Sequence, residues 1–288
     1  MVLKKIKYSF FILLLFFHVW YIIEAIFGFE NLFYVVRESI DHGTDHTHTT
    51  TTNTRRNLKK GKNEEAPPPP PDYHAVIEEL SLTDDNYKKV RECRCEFAFE
   101  GESKGFEGAV GFPDAGGELH ILALCEGNHC SNDKKIKKDV GNGRVVIMKK
   151  KKTAIDDDEE ERECIWETVK IVKIPKSAAF LDYSAIDITS TGKVVISSQE
   201  ESAVWLGHAS GIVDGVIDPV TFEFVDSNTK SLSFPKDGGC HTVYCNIEGI
   251  HFIDDQMLMA VSDKMKSGGK QDYRCQEKDQ SIHTFVIP

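Results

Sequence analysis

The chain has 288 residues and a formal net charge of −11 at pH 7, long enough for one or two domains. So acidic a surface repels phosphate backbones, which excludes a nucleic-acid partner drawn in by long-range attraction. The lysine runs Lys134–Lys138 and Lys149–Lys152 are local exceptions, and the second is followed closely by Asp156–Glu161, whose opposite charge cancels it at a distance.

At the amino end, Lys4, Lys5 and Lys7 precede an apolar run from Tyr8 to Ile23 that continues past Glu24 to Phe29. A basic segment followed by such a run reads as a secretory signal, and its length approaches the ~20 residues of a spanning helix. Residues 1–30 are therefore expected to be a signal anchor or a cleaved signal peptide. The chain would then be a single-pass membrane protein or an extracellular or lumenal one. Residues 31–72 read as a low-complexity linker, with a His/Thr tract at Asp41–Thr54, a basic stretch at Arg55–Lys62 and a proline run at Pro67–Pro71. The prolines favour a stiff polyproline II spacer. His42, His46 and His48 offer at most weak metal ligation, because a flexible tract must lose entropy to fix ligands.

Eight cysteines, Cys93, Cys95, Cys125, Cys130, Cys164, Cys240, Cys245 and Cys275, favour disulfides in an oxidising compartment. The spacings Cys125-x4-Cys130 and Cys240-x4-Cys245 suit clips across a turn. Zinc is the rival, since His129 adjoins Cys130 and His241 adjoins Cys240, but neither pair forms a C-x2-C knuckle. No Asn-x-Ser/Thr acceptor occurs in the chain.

From Tyr73 to Pro288 the pattern changes to short β-rich runs such as Val145–Met148, Val169–Val172 and Val194–Ile196, with no amphipathic stretch of helical length. An internal repeat organises them. Phe106-Glu107-Gly108-Ala109, Tyr183-Ser184-Ala185-Ile186 and Ile247-Glu248-Gly249-Ile250 share one shape: apolar, acid or serine, small, apolar. Each is followed by a second strand, at Leu119–Cys125, Val194–Ser198 and Met257–Ser262, ending on Glu126, Gln199 and Asp263. Third strands follow at Arg144–Met148, Ala203–Leu206 and Ile282–Ile287. Fourth strands are visible at Trp166–Ile174 and at Phe222–Val225 or Leu232–Phe234, with none after the third unit. Two further strands, near Tyr73–Leu82 and Tyr87–Phe99, precede the first unit and could complete the last one. The expected fold is all-β: a partial or open β-propeller of four-stranded blades, preceded by a hydrophobic helix and a disordered tether. Only about three units fit, where closed rings use about 4–8, so a truncated ring is expected.

Gly105-Phe106-Glu107-Gly108, Asn246-Ile247-Glu248-Gly249 and the strand end Val261-Ser262-Asp263 resemble the phytase-esterase-like β-propeller family. The resemblance covers roughly residues 93–288 and implies a propeller fold in an extracytoplasmic setting. It implies an activity only weakly, since fold does not fix function.

If the units are blades, Glu107, Glu126, Asp182, Glu200, Glu248 and Asp263 gather around a central funnel. Converging acids need a cation or a proton to neutralise them, and calcium takes carboxylate oxygens readily, so these six are the candidate calcium ligands. The alternative is that each acid accepts backbone N–H bonds and fastens the ring. Two functions follow: a binding or scaffold propeller for a protein or small-molecule ligand, or a calcium-dependent phosphoesterase or esterase. Lys104, Lys264, Lys266 and Arg274 flank the acids as groups that could meet a phosphate. No His-Glu-x-x-His motif is present.

Overall fold

The computed structural model describes residues 23–41, 73–83, 86–100, 104–126, 143–152, 164–264 and 278–288, with Cys130, Gly141 and Cys275. These residues form four antiparallel meanders in chain order. The first contains β1 (Ile23–Phe29), β2 (Leu32–Asp41), β3 (Tyr73–Leu82) and β4 (Tyr87–Phe99). The second contains β5 (Phe106–Pro113), β6 (Leu119–Cys125), β7 (Arg144–Lys150) and β8 (Ile165–Lys173). The third contains β9 (Ala185–Ile188), β10 (Lys193–Ser198), β11 (Ala203–Ser210) and β14 (Glu223–Ser233), with a small hairpin of β12 (Ile212–Val213) and β13 (Val216–Ile217) before its last strand. The fourth contains β15 (Ile247–Asp254), β16 (Met257–Ser262) and β17 (Ile282–Val286).

The middle sheets show why the sequence stacks. On β10, Val194 and Ile196 point into one apolar layer and Val195 into another; on β11, Ala203 and Trp205 join the first and Val204 and Leu206 the second. Successive strand residues alternate faces, and both faces of this sheet are covered, so Val194-Val195-Ile196 reads as an unbroken apolar run. The second sheet repeats the arrangement. Leu122, Leu124, Val145 and Ile147 face the third sheet, whereas Ile121, Ala123, Val146 and Met148 face the first. Three apolar layers thus lie between four consecutive sheets, as between the blades of an open propeller.

Consecutive first strands lie side by side: β1 against β5, β5 against β9, and β9 against β15. A side chain on Gly108 would strike the Ile186 amide nitrogen at 2.9 Å, and one on Gly111 would strike the Phe27 ring at 2.4 Å. The first two meanders are also joined at their last strands by a short parallel pairing, Arg94 with Ile165 and Cys95 with Trp166. That makes one eight-stranded sheet, in the order β1-β2-β3-β4-β8-β7-β6-β5, which nearly closes like a barrel. Between its halves, the buried Glu79 carboxylate pairs with Lys150 Nζ at 2.5 Å, and Lys150 also lies over the Trp166 ring.

Several expectations are corrected. Residues 23–41 are not the end of a targeting segment and the start of a tether, because they form β1 and β2 of the first sheet. The apolar run before Ile23, and residues 42–72 with the proline run, lie outside the described residues. Among the described residues no helix is long and apolar enough to cross a membrane. The strands near Tyr73 and Tyr87 do not complete the last unit: β3 pairs with β2, and the units number four rather than three. The two alternatives for the fourth strand of the third sheet are the two ends of β14, which spans 11 residues and shifts register opposite Leu206–His208.

Cys125 and Cys130 form the expected disulfide. Cys240 and Cys245 do not: Cys245 bonds Cys275, and Cys240 is an exposed thiol. The turn that carries Cys240 is organised instead by Asp237, whose carboxylate accepts the Gly239 and His241 amides and which contacts the His241 ring. A third disulfide joins Cys93 of β4 to Cys164 beside β8, and Cys95 is a buried thiol.

Candidate functional site

The start of each sheet's first strand carries the repeated motif, and the backbone there departs from regular pairing. On β5, Phe106 pairs with Cys125 and Gly108 with Leu124, which leaves Glu107 on a bulge. On β15, Ile247 pairs with Ser262 and Gly249 with Val261, which leaves Glu248 on the same kind of bulge. On β1, Ile23 pairs with Arg37 and Ala25 with Val36, so Glu24 occupies the equivalent place. A bulge re-aims the side chain it carries and recurs where function or strand termination requires it. In the third sheet the position belongs to Ser184, whose hydroxyl donates to the Ile247 carbonyl at 2.7 Å and meets Ser197 Oγ at 3.0 Å. Because the four strands lie side by side in the same sense, their bulge positions fall at one end of the arc.

The six sequence-predicted acids have different surroundings there. Glu107 and Glu248 are half-buried on their bulges. Glu126 follows β6, its amide bonding the Gly105 carbonyl. Its Oε1 accepts from Lys104 Nζ at 2.9 Å, while its enclosed Oε2 has no hydrogen-bond partner among the described residues. Asp263 is the counterpart after β16, its amide bonding the Asn246 carbonyl, with an exposed side chain. Glu200 is exposed on the β10–β11 turn. Lys264 is exposed, and Lys266 and Arg274 lie outside the described residues.

Asp182 is the most constrained of the six. Its Oδ1 bonds Ser198 Oγ, its Oδ2 accepts the Gln199 amide at 3.2 Å, and the Glu200 amide lies 3.3 Å from both oxygens. Glu201 closes the cluster: its Oε2 bonds the same Ser198 Oγ and its Oε1 accepts the Leu181 amide at 2.9 Å. Burial disfavours the charged form and, with the Glu201 carboxylate alongside, pushes Asp182 up to about 6. Tyr183, desolvated next to these two acids, is pushed up to about 12.

The third and fourth sheets are fastened by polar groups outside the motif. Asp187 of β9 accepts the Phe252 amide at 2.8 Å and lies 2.9 Å from His251 Nδ1. Sequence reasoning passed over Ser198, Glu201 and Asp187. It also passed over Glu24, although Ile23-Glu24-Ala25-Ile26 repeats the apolar, acid, small, apolar motif.

One group of three side chains with metal-ligating atoms within 4.8 Å of one another occurs among the described residues: Glu79, Cys93 and Cys164. Its two sulfurs are joined as a disulfide, so as it stands the group offers a metal no thiolate. No protein-family model matches the chain, and no curated protein matches it.

Proposed function

We propose that the chain is a binding or scaffold module of the secretory route, an arc of propeller sheets rather than a hydrolase. One observation carries this reading: the best-defined of the candidate acids is committed to holding the fold. Asp182 is occupied by two backbone amides and Ser198. In the same way Asp187, an acid outside the candidate set, ties β9 to β15. Three disulfides suit an oxidising compartment. The fourth sheet supports a binding role as well, since β17 leaves Ile282 and Val286 exposed.

The calcium reading retains one specific observation. Among the described residues Glu126 Oε2 is enclosed without a hydrogen-bond partner, a state that a cation would relieve. The two readings separate in one experiment. The full chain is incubated with p-nitrophenyl phosphate and p-nitrophenyl acetate in calcium on the order of a millimolar, with thermal unfolding followed in parallel. A binding module gives no turnover. Turnover that Glu107→Gln or Glu248→Gln abolishes overturns the proposal and favours the esterase. A calcium-dependent rise in Tm that Glu126→Gln removes, without turnover, assigns calcium a structural role in the scaffold.

A further inference from the structure

The Asp182 cluster carries an inference that follows from counting protons. Ser198 Oγ makes three polar contacts: it accepts the Glu201 amide at 3.1 Å, and it bonds a carboxyl oxygen of Asp182 and another of Glu201. A hydroxyl has one proton and two lone pairs. The Glu201 amide fills one lone pair, and the hydroxyl proton satisfies one carboxyl oxygen. The remaining contact is a hydrogen bond only if the second carboxyl brings its own proton. With both carboxylates ionised, an oxygen would face the hydroxyl lone pair, and two like charges would share one partly buried site. Among the described residues no ion pair neutralises either acid. The charged groups at the cluster are Glu201 and the neighbouring Glu200 on the β10–β11 turn, and Tyr183 on the strand lead-in adds a neutral phenol.

We propose that Asp182, Ser198 and Glu201 form a proton-held latch, which fastens the lead-in of β9 to the β10–β11 turn while one proton is shared and loosens when that proton leaves. What it holds gives it reach. Leu181 is bonded by Glu201, and Ser184, two residues beyond Asp182, bonds the Ile247 carbonyl of the fourth sheet. The latch therefore sits beside the joint between the third and fourth sheets, and its release frees the segment that makes that joint. It is independent of whether the arc binds a ligand or hydrolyses one.

The folded chain holds the Asp182 proton up to about pH 6, against 3.8 for the ordinary carboxyl. The stabilisation is full below the ordinary value and is lost as pH rises through the folded one. Across that window the folding equilibrium weakens by up to roughly a hundredfold.

The test is a pair of measurements on the full oxidised chain. Carbon NMR titration of the wild-type carboxyls is expected to show one proton leaving the Asp182–Glu201 pair well above the ordinary carboxylate range. Thermal unfolding at stepped pH is expected to show Tm falling up to about pH 7 in the wild type, with a flatter profile in Asp182→Asn. That amide can accept the Gln199 and Glu200 amides and donate to Ser198 Oγ at every pH, leaving the hydroxyl proton for Glu201, so Asp182→Asn holds the latch permanently shut. Should Asp182→Asn not fold, Glu201→Gln makes the same substitution on the other partner. Ordinary titration of both carboxyls, or identical Tm profiles for wild type and variant, overturns the proposal.

Discussion

Gly108 and Gly249 hold the same place in two copies of one motif, yet the structure assigns them different roles. A methyl on Gly108 would lie 2.9 Å from the Ile186 amide nitrogen and 3.1 Å from the Ala185 Cα, both backbone atoms of the neighbouring sheet. A methyl on Gly249 would meet Val261 Cβ at 3.4 Å and Cγ2 at 3.7 Å, ordinary contacts within its own sheet. Neither glycine has positive φ, so alanine is not strained in its own backbone at either site. Gly108→Ala must push β5 away from β9, an overpacking cost of about 1–3 kcal/mol. The lower unfolded-chain entropy of alanine recovers about 0.5–1 kcal/mol of that. The net loss is on the order of 1–2 kcal/mol, or about 2–8 °C in Tm at this chain length. Gly249→Ala incurs no such cost and is expected to be neutral or stabilising by up to about 1 kcal/mol. Thermal unfolding followed by circular dichroism, with both variants oxidised, decides the matter. Equal Tm values for the two variants would refute the side-by-side packing of first strands, and with it the stacking of consecutive sheets.

Lys150→Met leaves the Glu79 carboxylate buried without its cation and should destabilise by about 3–5 kcal/mol, with Glu79→Gln in the same chain recovering much of the loss in urea melts. Alkylation of the native protein, read by peptide mass mapping, should label Cys240 at once and Cys95 only after unfolding, since the first thiol is exposed and the second buried. Replacing both cysteines of the Cys93–Cys164 pair, separated by 71 positions, should cost about 4 kcal/mol. The same change at Cys125 and Cys130, separated by 5, should cost about 2 kcal/mol.

The repeat was legible because it is local: each motif and its following strand form one hairpin, and the alternation of Val194, Val195 and Ile196 follows from the pleat. The first two strands of the first sheet were hidden for an equally physical reason. β1 contributes Ala25 and Phe27 to an apolar layer and follows directly on the apolar run from Tyr8. A strand packed in this way and a signal segment are both stretches of hydrophobic residues, and no change of composition marks the passage between them. The link of Cys245 to Cys275 depends on where two distant segments meet, which spacing does not encode. Glu201 was missed because its partnership with Asp182 arises from the shape of the β10–β11 turn, not from the repeat.

The rims of the first two joints are closed by different chemistry, and this has a mechanical consequence. The first and second sheets are clasped at their last strands by the Cys93–Cys164 bond and the pairing beside it. The second and third are held there by polar contacts instead: Lys170 of β8 reaches the Val220 and Phe222 carbonyls and the Glu223 carboxylate at 2.8 Å, and Ser177 just past β8 bonds Asp226 of β14. An ionic clasp weakens with added salt and a covalent one does not. The first joint is therefore stapled covalently at its rim, whereas in concentrated salt the rim of the second should loosen while its apolar layer stays closed.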